Sequence, residues 1–248
     1  MRFLDGIVNR MTLNLSHKGV FSMIRLGDPD EVNRNLILAI GKIKLHVARP
    51  PGAIVNLLLS KLSSSHSLLD IGESLRSDAK NAKSLCGIYK TLDLNEFENY
   101  PDYLGDICDP NLLDTLQERF DYVACFSLLE HTYQPFIACK NLVGLIRKGG
   151  QIYGSAPFLY PRHSPNNLSY QDYFRFTRDA YAVLFPDVNS IELYPMRGRL
   201  ATSLLVMTSR YKTIIEHKYP RVTKWINARF SKGEHTLQTS GFEFIITV

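Results

Sequence analysis

Three acidic side chains each follow a predicted strand, a pattern typical of cofactor sites in α/β proteins. Asp70 ends an apolar run that begins at Leu68, and Gly72 follows it. Asp93 lies about 20 residues further on, where a ribose-binding carboxylate is expected. Asp106 follows the third strand, where an acid can accept a hydrogen bond from an adenine amino group. Each acid alone could instead cap the next helix, but three in register favour a cofactor site.

The turn after Asp70 is poor in glycine. A dinucleotide enzyme needs further glycines there so that the backbone can approach a pyrophosphate. This chain has Ser74 and Arg76 at those positions. S-adenosylmethionine (SAM) carries no phosphate, so a single close approach at Gly72 is enough for it. The spacing therefore counts against NAD more than against SAM.

An acid–histidine pair, Glu130 and His131, follows the fourth predicted strand. Histidine is well suited to act as a general base near neutral pH. A second histidine, His163, lies in a long polar and aromatic loop, 157–180, and such loops after sheet strands are often functional. Structural alternatives stay open, because the pair could begin a helix and the loop could be an ordinary surface connection.

Strands and helices alternate from residue 65 onward. This alternation predicts an α/β fold: a Rossmann-like, seven-stranded, mostly parallel sheet with helices on both faces and ligands at the carboxyl ends of the strands. We expect strands over Ser67–Ile71, Ile88–Leu94, Tyr103–Gly105, Tyr122–Phe126, Gln151–Ala156, Ser190–Tyr194 and Phe242–Val248, and helices over Asp109–Glu118, Tyr133–Arg147 and Leu200 to about Phe230.

The first 64 residues are predicted to form a helical extension. Asp28, Pro29 and Glu31 match a helix-start pattern. The helix is expected to continue to about Val47, before a pair of prolines. A short second helix, Ala53–Leu62, ends in a serine-rich joint.

The segment from Leu68 to Pro157 resembles the class I SAM-dependent methyltransferases. The likeness is to the large type 11 branch, whose fourth strand leads to a leucine-glutamate-histidine signature, here Leu129–His131. A second segment, Asp172–Thr177, is similar to bacterial methyltransferases associated with sugar and polysaccharide synthesis. The resemblance implies a methyltransferase domain over 65–248, with a helical insertion over 200–236 before the last strand.

For a hydroxyl acceptor, we hypothesise that His131 or His163 is the general base, with Asp172, Tyr173 and Arg175 as candidate substrate-binding residues. The resemblance itself implies roles for residues at the cofactor. For the cofactor SAM, it implies Asp70, Gly72 and Glu73 near the methionine moiety, Asp93 and Leu94 at the ribose, Asp106 and Ile107 at the adenine, and Phe126 and Ser127 lining the cleft.

These assignments predict a SAM-dependent methyltransferase that O-methylates a sugar or glycan intermediate. Two alternatives stay open. One is a methyltransferase that acts on a small metabolite or a lipid-linked acceptor. The other is a non-catalytic partner protein with the same fold, which the missing glycines at Ser74 and Arg76 favour.

Composition limits the expected partners and location. Hydrophobic residues make up 45% and charged residues 21% of the chain, which is typical of a globular protein. No apolar run approaches the roughly 20 residues that span a bilayer, so a cytoplasmic location is expected. Both flanks are basic, so peripheral contact with an anionic membrane surface stays open. A homodimer also stays open. No nucleic acid partner is expected. The four cysteines are widely spaced, and no metal site is predicted.

Overall fold

The computed structural model describes residues 29–49, 51–96, 100–164, 170–208, 218–219, 221–222, 225–226 and 237–248. Contacts divide the chain into two units, Met1–Ile37 and Leu38–Val248. The first helix, α1 (Pro29–Gly41), begins in the first unit and ends in the second. Asp28, part of the 157–180 loop and most of the predicted 200–236 insertion lie outside the described residues.

Helices and strands alternate along the second unit, as predicted. Among the described residues, no helix has both the length and the hydrophobicity that a bilayer crossing requires. The strands are β1 (Ile43–Leu45), β2 (Ser67–Ile71), β3 (Ile88–Asp93), β4 (Tyr103–Leu104), β5 (Phe120–Phe126), β6 (Ile146–Pro157), β7 (Ser190–Pro195) and β8 (Gly241–Thr247). The helices are α2 (Ala53–Lys61), α3 (Ala79–Leu85), α4 (Leu112–Thr115), α5 (Pro135–Gly144), α6 (Ala180–Leu184) and α7 (Arg199–Met207), with 3-10 turns at Arg76–Asp78 and Leu129–His131.

The described strands form one sheet in the order β1-β7-β8-β6-β5-β2-β3-β4. Neighbouring strands are parallel, except that β8 runs antiparallel to both β6 and β7. The chain extends the sheet from β2 through β3 to β4 on one side, and then returns to add β5 and β6 on the other. Ligands of such sheets bind at this switch point, outside the carboxyl ends of the strands.

Helices cover both faces of the sheet. Leu69 of β2 packs in a core that includes Leu142 of α5, whereas the adjacent Leu68 packs in a core that includes Ile54 of α2. Successive strand residues point to opposite faces, and all five residues of β2 are buried, as expected of a central parallel strand. The predicted α/β, Rossmann-like class is confirmed.

The number of strands is a correction, because the described sheet has eight strands rather than seven. The additional strand is β1, which lies where the sequence pattern predicts that the N-terminal helix continues to Val47. The helix instead ends at Gly41. Ile43 then pairs in parallel with Ile191 at the edge of the sheet. Backbone pairing with β7 therefore outweighs the helical spacing of the apolar residues.

The predicted helix from Asp109 to Glu118 is also a correction, because only α4 is helical. The Asp109 carboxylate accepts a hydrogen bond from the Asn111 amide at 2.9 Å. This side-chain turn competes with the helix and delays its start. The predicted helix over Tyr133–Arg147 corresponds to the shorter α5. The long helix predicted from Leu200 to about Phe230 is a correction, because α7 ends at Met207 and the backbone of Thr208 is extended. Helical residues occur again at 218, 221–222 and 225–226.

A buried carboxylate positions α2 against the sheet. Glu243 of β8 is 2% exposed, and its Oε1 accepts a hydrogen bond from the Gly52 amide at 2.6 Å, just before α2 begins. Among the described residues, its Oε2 has no hydrogen-bond partner. Burial raises the pKa of Glu243 to about 7. The folded state therefore binds a proton at this carboxylate more tightly than the unfolded chain does.

We expect Glu243 to make stability fall as pH rises. The unfolded glutamate releases its proton near its ordinary pKa of 4.5, and the folded one near 7. The unfolding free energy should therefore fall between about pH 4.5 and 7 and level off above that range. Glutamine stays neutral at every pH, so at pH 8 the unfolding free energy of Glu243→Gln should be about 1–3 kcal/mol higher than that of the wild type. Urea unfolding at pH 5 and pH 8 measures this. The exposed control Glu96→Gln should follow the wild type, and an unchanged pH profile for Glu243→Gln would contradict the expectation.

Candidate functional site

A cleft opens at the switch point of the sheet, beyond the carboxyl ends of β2, β3, β4 and β5. Its volume is about 240 Å³. Seven of the nine predicted cofactor residues line it, so residues from separate strands meet as expected. These seven are Gly72, Asp93, Leu94, Asp106, Ile107, Phe126 and Ser127.

The turn after β2 brings backbone close to the cleft. Gly72 has a left-handed backbone, with φ of 69°, and its amide donates a hydrogen bond to the Leu92 carbonyl at 2.9 Å. A Cβ on Gly72 would lie 3.1 Å from the side chain of Leu128, which also lines the cleft. Glu73 and Arg76 are left-handed as well, with φ of 50° and 49°. Only Gly72 adopts this conformation without steric cost.

Asp70 organises this turn from beneath. Its side chain is buried, and Oδ1 accepts hydrogen bonds from the amide and the hydroxyl of Ser74, at 3.0 and 2.7 Å. Its Oδ2 accepts a hydrogen bond from the Tyr89 hydroxyl at 2.8 Å. Burial raises the pKa of Asp70, against the effect of these hydrogen bonds. Asp70 and Glu73 are the two predicted cofactor residues that lie outside the cleft lining.

Asp93 and Asp106 each stabilise a local turn and also line the cleft. Each accepts a hydrogen bond from a nearby amide, Asp93 from Asn95 at 2.9 Å and Asp106 from Cys108 at 2.8 Å. Asp106 also accepts a hydrogen bond from the Tyr133 hydroxyl at 2.8 Å. Both acids line the cleft. A carboxylate offers about four lone-pair sites, so each can shape its own turn and still accept a hydrogen bond from a ligand.

Several lining residues were not predicted. Arg76 stands where a glycine was sought, and Tyr133 comes two residues after His131. Tyr170 belongs to the loop predicted to contact substrate, and its ring lies edge-on to His131, with 4.5 Å between ring centroids. The spacing of residues in the sequence does not identify these side chains, because the conformations of their loops bring them to the cleft.

Glu130, His131 and His163 meet beside the cleft and are called the histidine cluster below. The Glu130 side chain is 1% exposed. Its Oε1 lies 3.4 Å from Nε2 of His163 and 3.8 Å from Nε2 of His131. His131 also lines the cleft. The two predicted bases thus lie together, around an acid that the sequence analysis assigned no chemical role.

The loop that carries His163 is held by a half-buried ion pair. Arg175 binds both carboxylate oxygens of Asp172, and one of these oxygens accepts a hydrogen bond from the His163 amide at 2.9 Å. The Arg175 guanidinium also donates to the Tyr160 carbonyl at 3.2 Å. Arg175 lowers the pKa of Asp172 to about 2, and Glu130 raises the pKa of His163.

The predicted substrate-binding residues divide into two kinds. Asp172 and Arg175 are bound to each other, a contact that orders the loop. The Tyr173 side chain is 51% exposed, while its amide donates a hydrogen bond to the Glu130 carbonyl at 2.8 Å. None of these three side chains lines the cleft as the described residues define it.

Comparison with known proteins finds similarity in structure but not in sequence. No protein-family model matches this chain, and no curated protein does. A SAM-dependent methyltransferase from Archaeoglobus fulgidus is similar at 14% identity and a TM-score of 0.49, over 79% of this chain and 92% of that one. The YcgJ protein from Bacillus subtilis is similar at 13% identity and a TM-score of 0.42, over 78% of this chain and 95% of that one.

A phosphoethanolamine N-methyltransferase 2 from Haemonchus contortus is also similar. Its structure holds phosphomonomethylethanolamine and S-adenosylhomocysteine. The identity is 17% and the TM-score 0.47, over 81% of this chain and 53% of that one.

The left-handed conformation of Arg76 generates a prediction. The left-handed conformation costs a residue with a Cβ roughly 1–2 kcal/mol, whereas glycine adopts it without this cost. Arg76→Gly should therefore raise the unfolding free energy by about 1 kcal/mol, measured by urea unfolding. Arg76→Ala is the matched control, because it removes the charge but keeps the Cβ. Equal stability of the two variants would show that the backbone at this position is not strained.

Proposed function

We propose that this chain is a SAM-dependent methyltransferase and that it transfers the methyl group to a hydroxyl of a sugar or glycan intermediate. The observation that carries the proposal is the shared position of Asp93 and Asp106. The two acids end neighbouring segments of the sheet and line one cleft at its switch point. Ribose hydroxyls and an adenine amino group are hydrogen-bond donors that such acids recognise.

The residues of the cleft fit SAM. Gly72 leaves a space that a Cβ would fill, which suits the close approach of a methionine moiety. Asp93 with Leu94 would hold the ribose, and Asp106 with Ile107 the adenine. The substitutions at the later glycine positions are compatible with this ligand, because SAM has no pyrophosphate for the backbone to enclose.

Ser74 and Arg76 therefore weigh less against cofactor binding than their sequence positions suggest. The Ser74 hydroxyl is used inside the protein, on Asp70. Arg76 lines the cleft as a cation and would lie near the carboxylate end of the cofactor in this proposal. Asp70 would act indirectly, by holding the turn, rather than by touching SAM.

SAM supplies a methyl group that is already activated for in-line displacement. The protein must then position the acceptor and promote loss of its hydroxyl proton, and an acid–base group of this kind contributes typically 10²–10⁴-fold. The histidine cluster is proposed for this role because His131 belongs both to the cluster and to the cleft lining. The Gln171 carbonyl, 2.5 Å from Nδ1 of His131, sets the orientation of that ring.

The loop residues support a sugar or glycan as acceptor. Tyr170 and Tyr173 are 46% and 51% exposed, and Tyr170 lines the cleft. Aromatic rings with a few polar groups are typical linings for small-molecule sites, and sugar rings pack well on such faces. The resemblance of Asp172–Thr177 to polysaccharide-associated methyltransferases points to the same class.

Cofactor binding is the first test. We expect S-adenosylhomocysteine to bind with a micromolar dissociation constant in isothermal titration calorimetry. Asp93→Ala should weaken binding at least tenfold, because the ribose hydroxyls lose a charged acceptor. Asp114→Ala removes an exposed carboxylate on α4 and should bind like the wild type. Absence of binding at millimolar ligand would reject the proposal and favour a non-catalytic partner protein.

Methyl transfer is the second test. With radiolabelled SAM and a panel of nucleotide sugars and glycans, we expect label in a hydroxyl acceptor. The double variant His131→Ala/His163→Ala should lower the rate by about 10²–10⁴-fold, whereas His66→Ala, at the opposite end of β2, should keep the wild-type rate. Unchanged turnover in the double variant would remove the histidine cluster from the mechanism. Label found only in lipid-linked or small-metabolite acceptors would replace the proposed substrate class.

A further inference from the structure

The carboxylate of Glu130 is buried without a normal hydrogen bond. Its side chain is 1% exposed, and neither oxygen has a hydrogen-bond partner among the described residues. The nearest basic atoms are Nε2 of His163 at 3.4 Å and Nε2 of His131 at 3.8 Å. A buried polar group without a hydrogen-bond partner is costly, so this point calls for a further partner.

The outer sides of both imidazole rings face acceptors. Nδ1 of His131 lies 2.5 Å from the Gln171 carbonyl oxygen, which can only accept a hydrogen bond, so Nδ1 carries the proton. Nδ1 of His163 lies 3.4 Å from a carboxylate oxygen of Asp172, within ion-pair distance but without hydrogen-bond geometry. With the protons on these outer nitrogens, both Nε2 atoms present lone pairs toward Glu130. Outer partners of this kind orient metal-binding histidines in many proteins.

Three acceptor atoms therefore converge on one point. One ligand atom from each member of the cluster lies within 4.8 Å of the other two. A single extra proton can bridge two of these atoms but leaves the third unpaired. A metal ion satisfies all three at once, with ligand distances of roughly 2.0–2.2 Å and separations of 3.3–3.5 Å between ligands in a tetrahedral site. The distances of 3.4 and 3.8 Å are close to that requirement.

We infer that Glu130, His131 and His163 bind one divalent transition-metal ion, with Zn²⁺ as the best match. Two imidazoles and one carboxylate form a known zinc ligand set that leaves a further position for water or substrate. Magnesium and calcium prefer an all-oxygen environment, so the histidines disfavour them. The inference rests on the proposed function and changes its acid–base step, because histidines that bind a metal through Nε2 cannot also take the acceptor proton. A bound metal would instead promote loss of that proton by lowering the pKa of the hydroxyl. The metal ligands are distinct from the residues proposed to hold SAM, and metal binding is measurable without methyl transfer.

The ligand set spans two distant segments of the chain, which is why sequence spacing does not predict it. Glu130 and His131 lie in the 3-10 turn after β5. His163 reaches them from a loop anchored by its own amide on Asp172 and by the Tyr173 amide on the Glu130 carbonyl. The two anchors hold the third ligand against the first two.

The test uses the full-length chain with any affinity tag removed and all metal stripped by chelation. We expect one equivalent of Zn²⁺ by elemental analysis after dialysis, and a micromolar or tighter dissociation constant by calorimetry. Co²⁺ should give visible d–d absorption of a four- or five-coordinate site. Glu130→Gln and His163→Gln should each weaken Zn²⁺ binding at least 100-fold. Asp172→Asn should weaken it about 10–100-fold, as outer-partner substitutions do.

His66→Gln is the matched control, because it removes a histidine from the opposite end of β2, and it should retain one equivalent of Zn²⁺. His163 is 31% exposed, so His163→Gln should fold even if Glu130→Gln does not, as thermal melting will show. Less than a fifth of an equivalent of Zn²⁺ in the wild type, or unchanged binding in folded His163→Gln, would overturn the inference.

Binding of S-adenosylhomocysteine to the metal-free protein separates the two proposals. If this ligand binds while Zn²⁺ does not, the metal site is rejected and the cofactor site stands. If Zn²⁺ binds while the ligand does not, the metal site stands and the methyltransferase proposal fails.

Discussion

The shape of the cleft depends on the hydrogen bonds to the carboxylate of Asp70. This buried side chain lies at the end of β2 and accepts bonds from the turn that follows and from Tyr89 on β3. Because β2 lies between β3 and β5, the turn that Asp70 holds begins between these two strands. Hydrogen bonds in such a low-dielectric interior are strong, and their loss leaves a costly unpaired group. A residue outside the cleft lining thus fixes the position of residues within it.

Glu130 has a comparable position on the acceptor side. Its carbonyl accepts hydrogen bonds from the amides of Tyr173 and Phe174, at 2.8 and 3.3 Å, while its carboxylate faces His131 and His163. One residue therefore both docks the loop and supplies the charge around which the histidines gather. Backbone and side chain of the same residue link the shape of the loop to the chemistry of the cluster.

The meeting of seven predicted cofactor residues in one cleft was predictable, because each lies at or shortly after the end of a strand. The pattern that predicts β2 or β3 also places Gly72 or Asp93, since carboxyl ends of parallel strands meet at one edge. The same logic assigned Asp70 to the cofactor, because a pattern of residues does not reveal which way a carboxylate turns. β1 was not predicted, because its partner β7 lies more than 140 residues away along the chain, as the pairing of Ile43 with Ile191 shows.

The loop side was predictable only in part. His131 and His163 were both singled out by residue type, but nothing in their separation indicates that they share a carboxylate. Their proximity depends on the Asp172–Arg175 pair, which the sequence pattern assigned to substrate binding. Tertiary contacts of this kind leave no periodic signal, so only the folded chain reveals them.

The antiparallel strand β8 has a consequence for how the protein folds. Within the described sheet, β7 and β1 join the other strands only through β8, because β8 lies between β6 and β7. A ribosome has already made residues 43–45 and 190–195 when residues 241–247 emerge. Until then, the edge of β6 and the edge of β7 are unpaired templates for other strands. Pairings over such sequence separations form slowly, so we expect completion of this sheet to be a late step in folding.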